Sequence, residues 1–460
     1  MNRVRGLALV VVFVLVMAAC GRSEKSSSDS SSSTGSGTAA SASSGPSDAT
    51  ALAQGGFGDL EKVCSAGDAK GATDKGVTDT EIRIGTVTDK GFTGRSGLNK
   101  EMVDAANAFA KWCNEKGGIL GRKIVVDDLD AKLTDYNGVV TTACDADFAL
   151  VGGGAVFDDA DNGGREACGL PNIPGFVVTP KARVATLQVQ PLPNPVYTFA
   201  SGSFDAMERI APGSLEATSV MTGSLATTII VKDATVEALT IKGGTTVDQS
   251  VYSPLGEENW SPFVTGLKEK GVKALIYVGE PMNLALFQKA MATEDYYPEV
   301  IMQTPNHYDK ILTETGGDAI KNTYISNAFV PFEKASENKA TQDYLDLMAQ
   351  YNPDGKIASL GAQSLSALLL FAKAATACGS NLTRQCLVQQ AQTVTSWTGG
   401  GMHGESNPGG NLPTPCFLVL KASASGFEYD EKATAPNDGL FNCDTKNLLT
   451  LQNDYGVPRS

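Results

Sequence analysis

The chain has 460 residues, a formal net charge of -14 and a sequence pI near 4.7. No Lys/Arg cluster stands out after the first few residues, which argues against nucleic acid as a partner. The body is also too long for one core at the usual ~100 to 200 residues per domain, so two lobes are expected.

Arg3 and Arg5 precede an apolar run from Leu7 to Val16 that leads into Met17-Ala18-Ala19-Cys20. That is a charged n-region, an h-region and a small-residue cleavage site, read as a signal peptide over residues 1–19. The run falls short of the ~20 residues a bilayer span needs, and no later stretch is read as long and apolar enough either. The cysteine after two alanines resembles the bacterial lipobox, in which the thiol is lipidated. Lipidation at Cys20 would anchor the mature chain, firmly so with two acyl chains. Residues 20–56, rich in Ser, Gly, Ala and Thr, are read as a disordered tether, and 57–78 as an N-terminal extension.

Eight further cysteines remain, an even number that in an exported chain reads as four disulfides, although 105 connectivities are formally open. Sequence proximity suggests Cys144 with Cys168, Cys378 with Cys386 and Cys416 with Cys443, leaving Cys64 for Cys113. With no Cys-x-x-Cys and two histidines, no metal and no cofactor are expected.

From Glu81 short β-branched runs alternate with helical stretches, the pattern of parallel βαβ units. A strand is expected at 81–87, then a glycine-bearing loop at 88–97. A helix follows to Lys116, with Met102, Ala105, Ala106, Phe109, Ala110 and Cys113 on one face and Gly117-Gly118 at its end. Strands at 123–127, 148–151 and 175–178 and helices at 135–144 and 158–168 complete a first series. A second series runs through helices at 204–210, 226–241, 260–270 and 282–293. Its strands are expected at 217–221, 245–251, 273–278, 299–303 and 322–327. Helices at 339–351 and 360–377 follow, the second too apolar for a solvent face. A last strand is placed at 415–421.

The strand Glu81-Ile82-Arg83-Ile84-Gly85-Thr86, the turn from Asn114 to Arg122 (NEKGGILGR) and Val177-Val178-Thr179-Pro180 resemble the type I periplasmic binding proteins. The nearest likeness is to their leucine/branched-chain amino acid-binding branch. The resemblance implies an α/β fold of two doubly wound parallel-sheet lobes joined by a three-crossing hinge. Lobe 1 would be 79–200 with 331–396 and lobe 2 would be 201–330 with 397–460. It further implies a solute held in the cleft and the permease subunits of an ABC transporter as partner. The loops depart from that branch: TDKGFTGRSG at 88–97 lacks the Ser-Gly-Pro-like turn, GGGAVFDD at 152–159 lacks its serines, and Lys181 and Arg183 replace small residues.

In parallel α/β sheets ligands sit beyond the carboxyl ends of the strands. That rule selects Asp89, Phe92, Ser96, Phe157, Asp158, Thr179, Pro180 and Lys181 in the first series. In the second it selects Thr222, Tyr277, Glu280, Thr304 and Asn306. Thr179 offers a hydroxyl, Lys181 a charge-assisted bond to an anionic group, Phe92 and Phe157 ring faces, Tyr277 a ring and a hydroxyl, and Glu280 a carboxylate for an amine. Each residue also has an ordinary structural use, such as loop packing or a helix N-terminal carboxylate.

No Gly-x-Ser-x-Gly elbow or His-Glu-x-x-His helix occurs. Gly399, Gly401 and Gly404 fit Gly-x-Gly-x-x-Gly, but neither a preceding strand nor a following helix supports a nucleotide site. The sequence therefore reads as a solute-binding lipoprotein of an ABC importer rather than an enzyme. Its expected place is the outer face of the bacterial cytoplasmic membrane, held there as a monomer by its lipid anchor. The guest would be an amino acid, amide or small carboxylate. A ligand sensor signalling to a membrane partner needs the same clamshell, and a secreted hydrolase is the remote third reading.

Overall fold

In the computed structural model, which describes residues 49–158 and 162–459, the alternating run at Glu81 becomes a central strand. β1 (Glu81–Thr88) pairs in parallel with β2 (Lys123–Asp130) along its whole length and with β3 (Ala149–Val151) on its other side. β4 (Asn172–Ile173) closes the order β2-β1-β3-β4. Ile82 and Ile84 are fully buried because β1 is covered on both faces, as all-parallel sheets require. The leader, Cys20 and residues 159–161 lie outside the described residues.

The chain then passes through β5 (Thr198–Ala200) into a second sheet that repeats the first. Its parallel strands are β6 (Thr218–Gly223), β7 (Thr246–Asp248), β8 (Val251–Tyr252), β9 (Ala274–Val278), β10 (Val300–Gln303) and β11 (Thr323–Asn327). Their order, β7-β6-β9-β10-β11, has the same reversal beside its first strand as the first sheet. Antiparallel β12 (Cys416–Ser423) and β13 (Gly426–Tyr429) extend the edge, and β14 (Asn442–Cys443) pairs with β12. β15 (Leu448–Thr450) pairs with β5.

Three connections join the lobes: β5, the segment after β11, and the segment after Gly401. The last two run antiparallel, with Val330 N donating to Met402 O at 2.8 Å and Gly404 N to Ala328 O at 3.0 Å. The glycine-rich stretch at 399–404 thus lies at the hinge. Helices Lys339–Tyr351 and Ser359–Cys378 return to pack on helix Lys100–Glu115 beside the first sheet.

Several expectations need correction. The fourth strand of lobe 1 lies at Asn172–Ile173, not at 175–178. Pro174 has no N–H to continue the ladder, and Val178 N is taken by the Asp158 carboxylate at 2.6 Å. The strand expected at 245–251 is split into β7 and β8, where Asp248 turns back to accept from Ser250 N at 3.2 Å and Ser250 Oγ at 2.7 Å. Ala49–Ala53 is helical, so order begins inside the stretch assigned to the tether, and Leu52 O receives Trp112 Nε1 at 3.0 Å. One later segment, Ser359–Asn381, does pass the length and hydropathy test for a membrane span, but 78% of its most apolar window is buried inside the protein. It is a core helix, and Leu368, Leu369 and Leu370 are fully enclosed. Helix Arg384–Gln392, β13 and β15 were not foreseen.

The four disulfides join Cys64–Cys113, Cys144–Cys168, Cys378–Cys386 and Cys416–Cys443, the pairs that sequence proximity suggests. The first staples the N-terminal extension to helix Lys100–Glu115. Gly117 and Gly118 end that helix at φ +105° and +77°, the left-handed region in which a side chain would be strained.

Candidate functional site

Asp89, fully buried at the carboxyl end of β1, accepts from Leu133 N at 2.8 Å and Val156 N at 2.9 Å. One carboxylate therefore ties together the loops that follow β1, β2 and β3. Burial raises its pKa against those two donors. Asp158 does the same for the next loop, accepting from Val178 N (2.6 Å), Thr179 N (3.0 Å) and Thr179 Oγ1 (2.7 Å). Burial pushes this carboxyl up to about 6 in spite of its donors.

Thr179 is the N-cap of the single turn Pro180–Arg183, its hydroxyl also accepting from Ala182 N at 3.2 Å. That placement explains Thr-Pro: the cap needs an oxygen and the first helical position tolerates a missing N–H. Pro180 is buried, Lys181 is exposed, and burial lowers the Arg183 guanidinium to about 10. Phe92 and Phe157 are half-buried, and Ser96 is exposed.

In lobe 2, Thr222 is buried and its hydroxyl contacts Gly223 O at 3.3 Å. Glu280 caps helix Pro281–Thr293, accepting from Met282 N at 3.1 Å and Asn283 N at 2.9 Å. Thr304 donates to Asn306 Oδ1 at 2.6 Å, and Asn306 Nδ2 donates to Gly279 O at 2.8 Å, which joins the loops after β9 and β10. Tyr277 is fully buried and stacks on Tyr252 with ring centroids 5.0 Å apart.

The two lobes meet through residues the sequence reading passed over. Arg95 Nε donates to Glu280 Oε2 at 2.9 Å, with the two side chains only 10% and 19% exposed. A side chain at Gly94 would collide with Leu255 of lobe 2. Near the hinge, Lys356 Nζ lies 2.8 Å from Glu101 Oε2 and 2.6 Å from Asp309 Oδ2. Burial opposes the Lys356 charge, yet the two carboxylates outweigh it and raise its pKa. The loops at the carboxyl ends of β1 and β9 thus meet through Arg95 and Glu280, and Lys356 joins Glu101 of lobe 1 to Asp309 in the loop after β10. Of the acids selected from sequence, Asp89, Asp158 and Glu280 all spend their oxygens on the protein's own donors.

Two sheets whose parallel strands share one topology, joined by three connections and meeting at their carboxyl ends, define a known architecture, and residues 226–426 match the family model described as periplasmic binding protein. The chain has the fold of the type I periplasmic binding proteins. Among solved structures of that fold, a possible leucine/isoleucine/valine-binding protein from Rhodopirellula baltica superposes with a TM-score of 0.65 at 12% identity, covering 77% of this chain and 97% of its own. A fatty acid ABC transporter substrate-binding protein from Thermomonospora curvata gives 0.65 at 15%, with 80% and 97% covered. A leucine binding protein from Thermotoga maritima gives 0.63 at 16%, with 76% and 97% covered. None of these is described as an enzyme. No curated protein matches the chain.

For a periplasmic binding protein-like cleft, sequence reasoning leaves out Lys356 and Gln303, and it singles out neither Arg95 nor His307 although both lie in the strand-end loops it selects. Arg95 stands in a Gly/Ser-rich loop and reads as a surface charge; only the fold brings Glu280 to it, 185 residues away. Gln303 and His307 were within reach of the strand-end rule, since they bracket Thr304 and Asn306. Both are buried, at 2% and 0% exposure.

Proposed function

We propose that this chain is an extracytoplasmic solute-binding lipoprotein of an ABC importer. On this reading residues 1–19 direct export, Cys20 carries the lipid, and the tether holds the body at the outer face of the cytoplasmic membrane. Lobe 1 (79–200 with 331–396) and lobe 2 (201–330 with 397–460) capture a small polar or anionic solute by closing on it, and the closed form docks the permease. The observation that carries the reading is the Arg95–Glu280 contact, which sets the strand-end loops of the two sheets face to face. Ligands of open α/β sheets bind at such loops. A guest that touches both lobes favours the shut state by its differential affinity.

The proposed guest-facing set is Phe92, Ser96, Phe157 and Lys181 from lobe 1 with Thr304 and Asn306 from lobe 2, while Tyr277 is enclosed in the lobe 2 core. Asp89, Asp158, Thr179, Pro180, Thr222 and Glu280 build the loops that present them. The test is titration of the full chain with amino acids, amides and small carboxylates while following small-angle scattering. A solute that binds and compacts the protein supports the reading. No compaction with any bound solute would reject capture by closure.

A further inference from the structure

A pocket of about 170 Å³ opens at the edge of the first sheet, with Arg183, Val184, Gln188, Gln190, Gln392 and Asn411 in its walls. On one side the chain runs beside β4, with Asn172 N donating to Leu187 O at 2.9 Å and Val189 N to Asn172 O at 3.0 Å. On the other side is the loop just past the hinge segment. Gly409 N donates to Val394 O at 2.8 Å and Ser406 Oγ to Pro191 O at 2.6 Å, which holds that loop in place. The pocket shares no residue with the proposed guest-facing set, and among the described residues none from 201–330 lines it.

The cation in this pocket lacks a partner. Arg183 Nε is buried with no hydrogen-bond partner, and among the described residues no acceptor is hydrogen-bonded to any nitrogen of the guanidinium. Asp158 is the nearby charge that favours it, yet the Asp158 oxygens are taken by Val178 N, Thr179 N and Thr179 Oγ1. Gln190, only 6% exposed, lines the same pocket, and its amide makes no hydrogen bond among the described residues either. Gln188 differs, donating to Ala182 O at 2.9 Å and accepting from Asn172 Nδ2 at 3.0 Å. Native proteins pair their enclosed charges. An unpaired guanidinium and a free amide beside open space therefore call for an anion from outside the chain.

The walls limit which anion fits. The planar fork of a guanidinium matches a carboxylate or a phosphate in a two-pronged contact, and among the described residues no acid lines the pocket to repel either. At about 30 Å³ per water the space suits a short molecule. Val184 in its wall is 47% exposed, and Leu412, next to the lining Asn411, is 57% exposed. Apolar surface at the rim favours a hydrocarbon tail over the hydrated oxygens of a phosphate. We propose that Arg183 and Gln190 bind the carboxylate of a small monocarboxylic acid whose tail lies toward Val184, at a site separate from the cleft. This site goes beyond the solute-binding reading and does not depend on it.

The probe is butyrate, with butyramide as its uncharged counterpart and inorganic phosphate as the rival anion, each soaked into crystals of the full chain and titrated by calorimetry. Butyrate is expected in the pocket with its carboxylate on Arg183, and butyramide is expected to leave the pocket to water. Arg183→Met keeps the reach of the side chain without the charge and should weaken butyrate at least about tenfold, the loss of a charge-assisted hydrogen bond. Val184→Glu changes an exposed side chain, so the fold stands, and the added charge should also weaken butyrate. Water alone at Arg183 in the butyrate soak, butyramide held equally well, or phosphate held more tightly than butyrate would overturn the proposal. So would either variant binding butyrate as tightly as its parent. Butyrate lodged only between the loops after β1 and β9 would remove this site and keep capture by closure. Butyrate in this pocket, with no solute closing the lobes, would do the reverse.

Discussion

Arg95 Nε and Glu280 Oε2, 185 residues apart in sequence, lie 2.9 Å apart between the loops that follow β1 and β9. Glu280 keeps two backbone donors even without Arg95, so Arg95→Ala removes the interlobe contact and leaves the helix cap standing. A partly buried pair is screened by salt less than a surface one, and its loss is expected to cost closure on the order of 1–2 kcal/mol. Small-angle scattering should then find the unliganded variant more open than the parent, with an unchanged melting temperature for lobe unfolding. An equally compact Arg95→Ala protein would show that the pair is incidental to closure.

The second interlobe contact should behave differently. Among the described residues Lys356 is the cation paired with Glu101, which is 3% exposed and whose pKa burial already raises. Lys356→Met strands that carboxylate and Asp309 together. Removing one partner of a buried pair typically costs about 3–5 kcal/mol, far more than a surface pair, so urea midpoints should fall markedly. Adding Glu101→Gln to Lys356→Met should recover part of the loss, since a neutral amide replaces the stranded charge. A double variant as weak as the single one would remove the electrostatic account.

The hinge carries a pH dependence of definite sign. His403 Nε2 accepts from Ser366 Oγ at 2.9 Å, Ser366 Oγ accepts from Trp397 Nε1 at 3.0 Å, and His403 Nδ1 donates to Gly404 O at 2.9 Å. Burial lowers the imidazole to about 4 from a usual 6.5. The unfolded chain therefore binds a proton before the folded one does. The stability this group contributes is complete above pH 6.5 and is lost as pH falls toward 4, at no more than about 1.4 kcal/mol per unit. The stability gap between the parent and His403→Gln should shrink steadily through that window in chemical denaturation. A gap independent of pH would mean that the ring titrates alike in both states.

The alternation of apolar runs was enough to place most strands and helices, because period and capping are local properties. Glu280 before Pro281 and Thr179 before Pro180 are caps readable from two residues. Gly175 to Val178 misled because its β-branched run outweighed Pro174 by composition, while the carboxylate that diverts Val178 comes from Asp158, 20 residues away. The site was legible only as a set of loops. Sequence places Asp89, Asp158 and Glu280 at strand ends, but whether their oxygens face a guest or a backbone N–H depends on neighbours the loops gain only on folding. Gln303 ends a strand that the sequence places at 299–303, and its burial comes from the core that the paired strands β9 and β10 share on that face.

Asp147 offers the opposite pH slope, at the other end of the first sheet. Its carboxyl is fully buried beside the Asp127 carboxyl. Burial first, and then the neighbouring Asp127, hold its pKa well above the usual carboxylate range, against the weaker pull of Arg83 and Arg384. The folded chain thus keeps a proton that the unfolded chain gives up near 3.8. Stability from this group is complete below that value and is lost as pH rises, again by no more than about 1.4 kcal/mol per unit. Asp147→Asn keeps the shape, removes the charge and offers Asp127 a permanent donor in place of the borrowed proton. The variant should match its parent in mild acid and exceed it by a growing margin as pH rises to neutrality and beyond, as read from urea midpoints. A parent that stays level with Asp147→Asn across the range would mean that the carboxylate is ionised and satisfied in the fold.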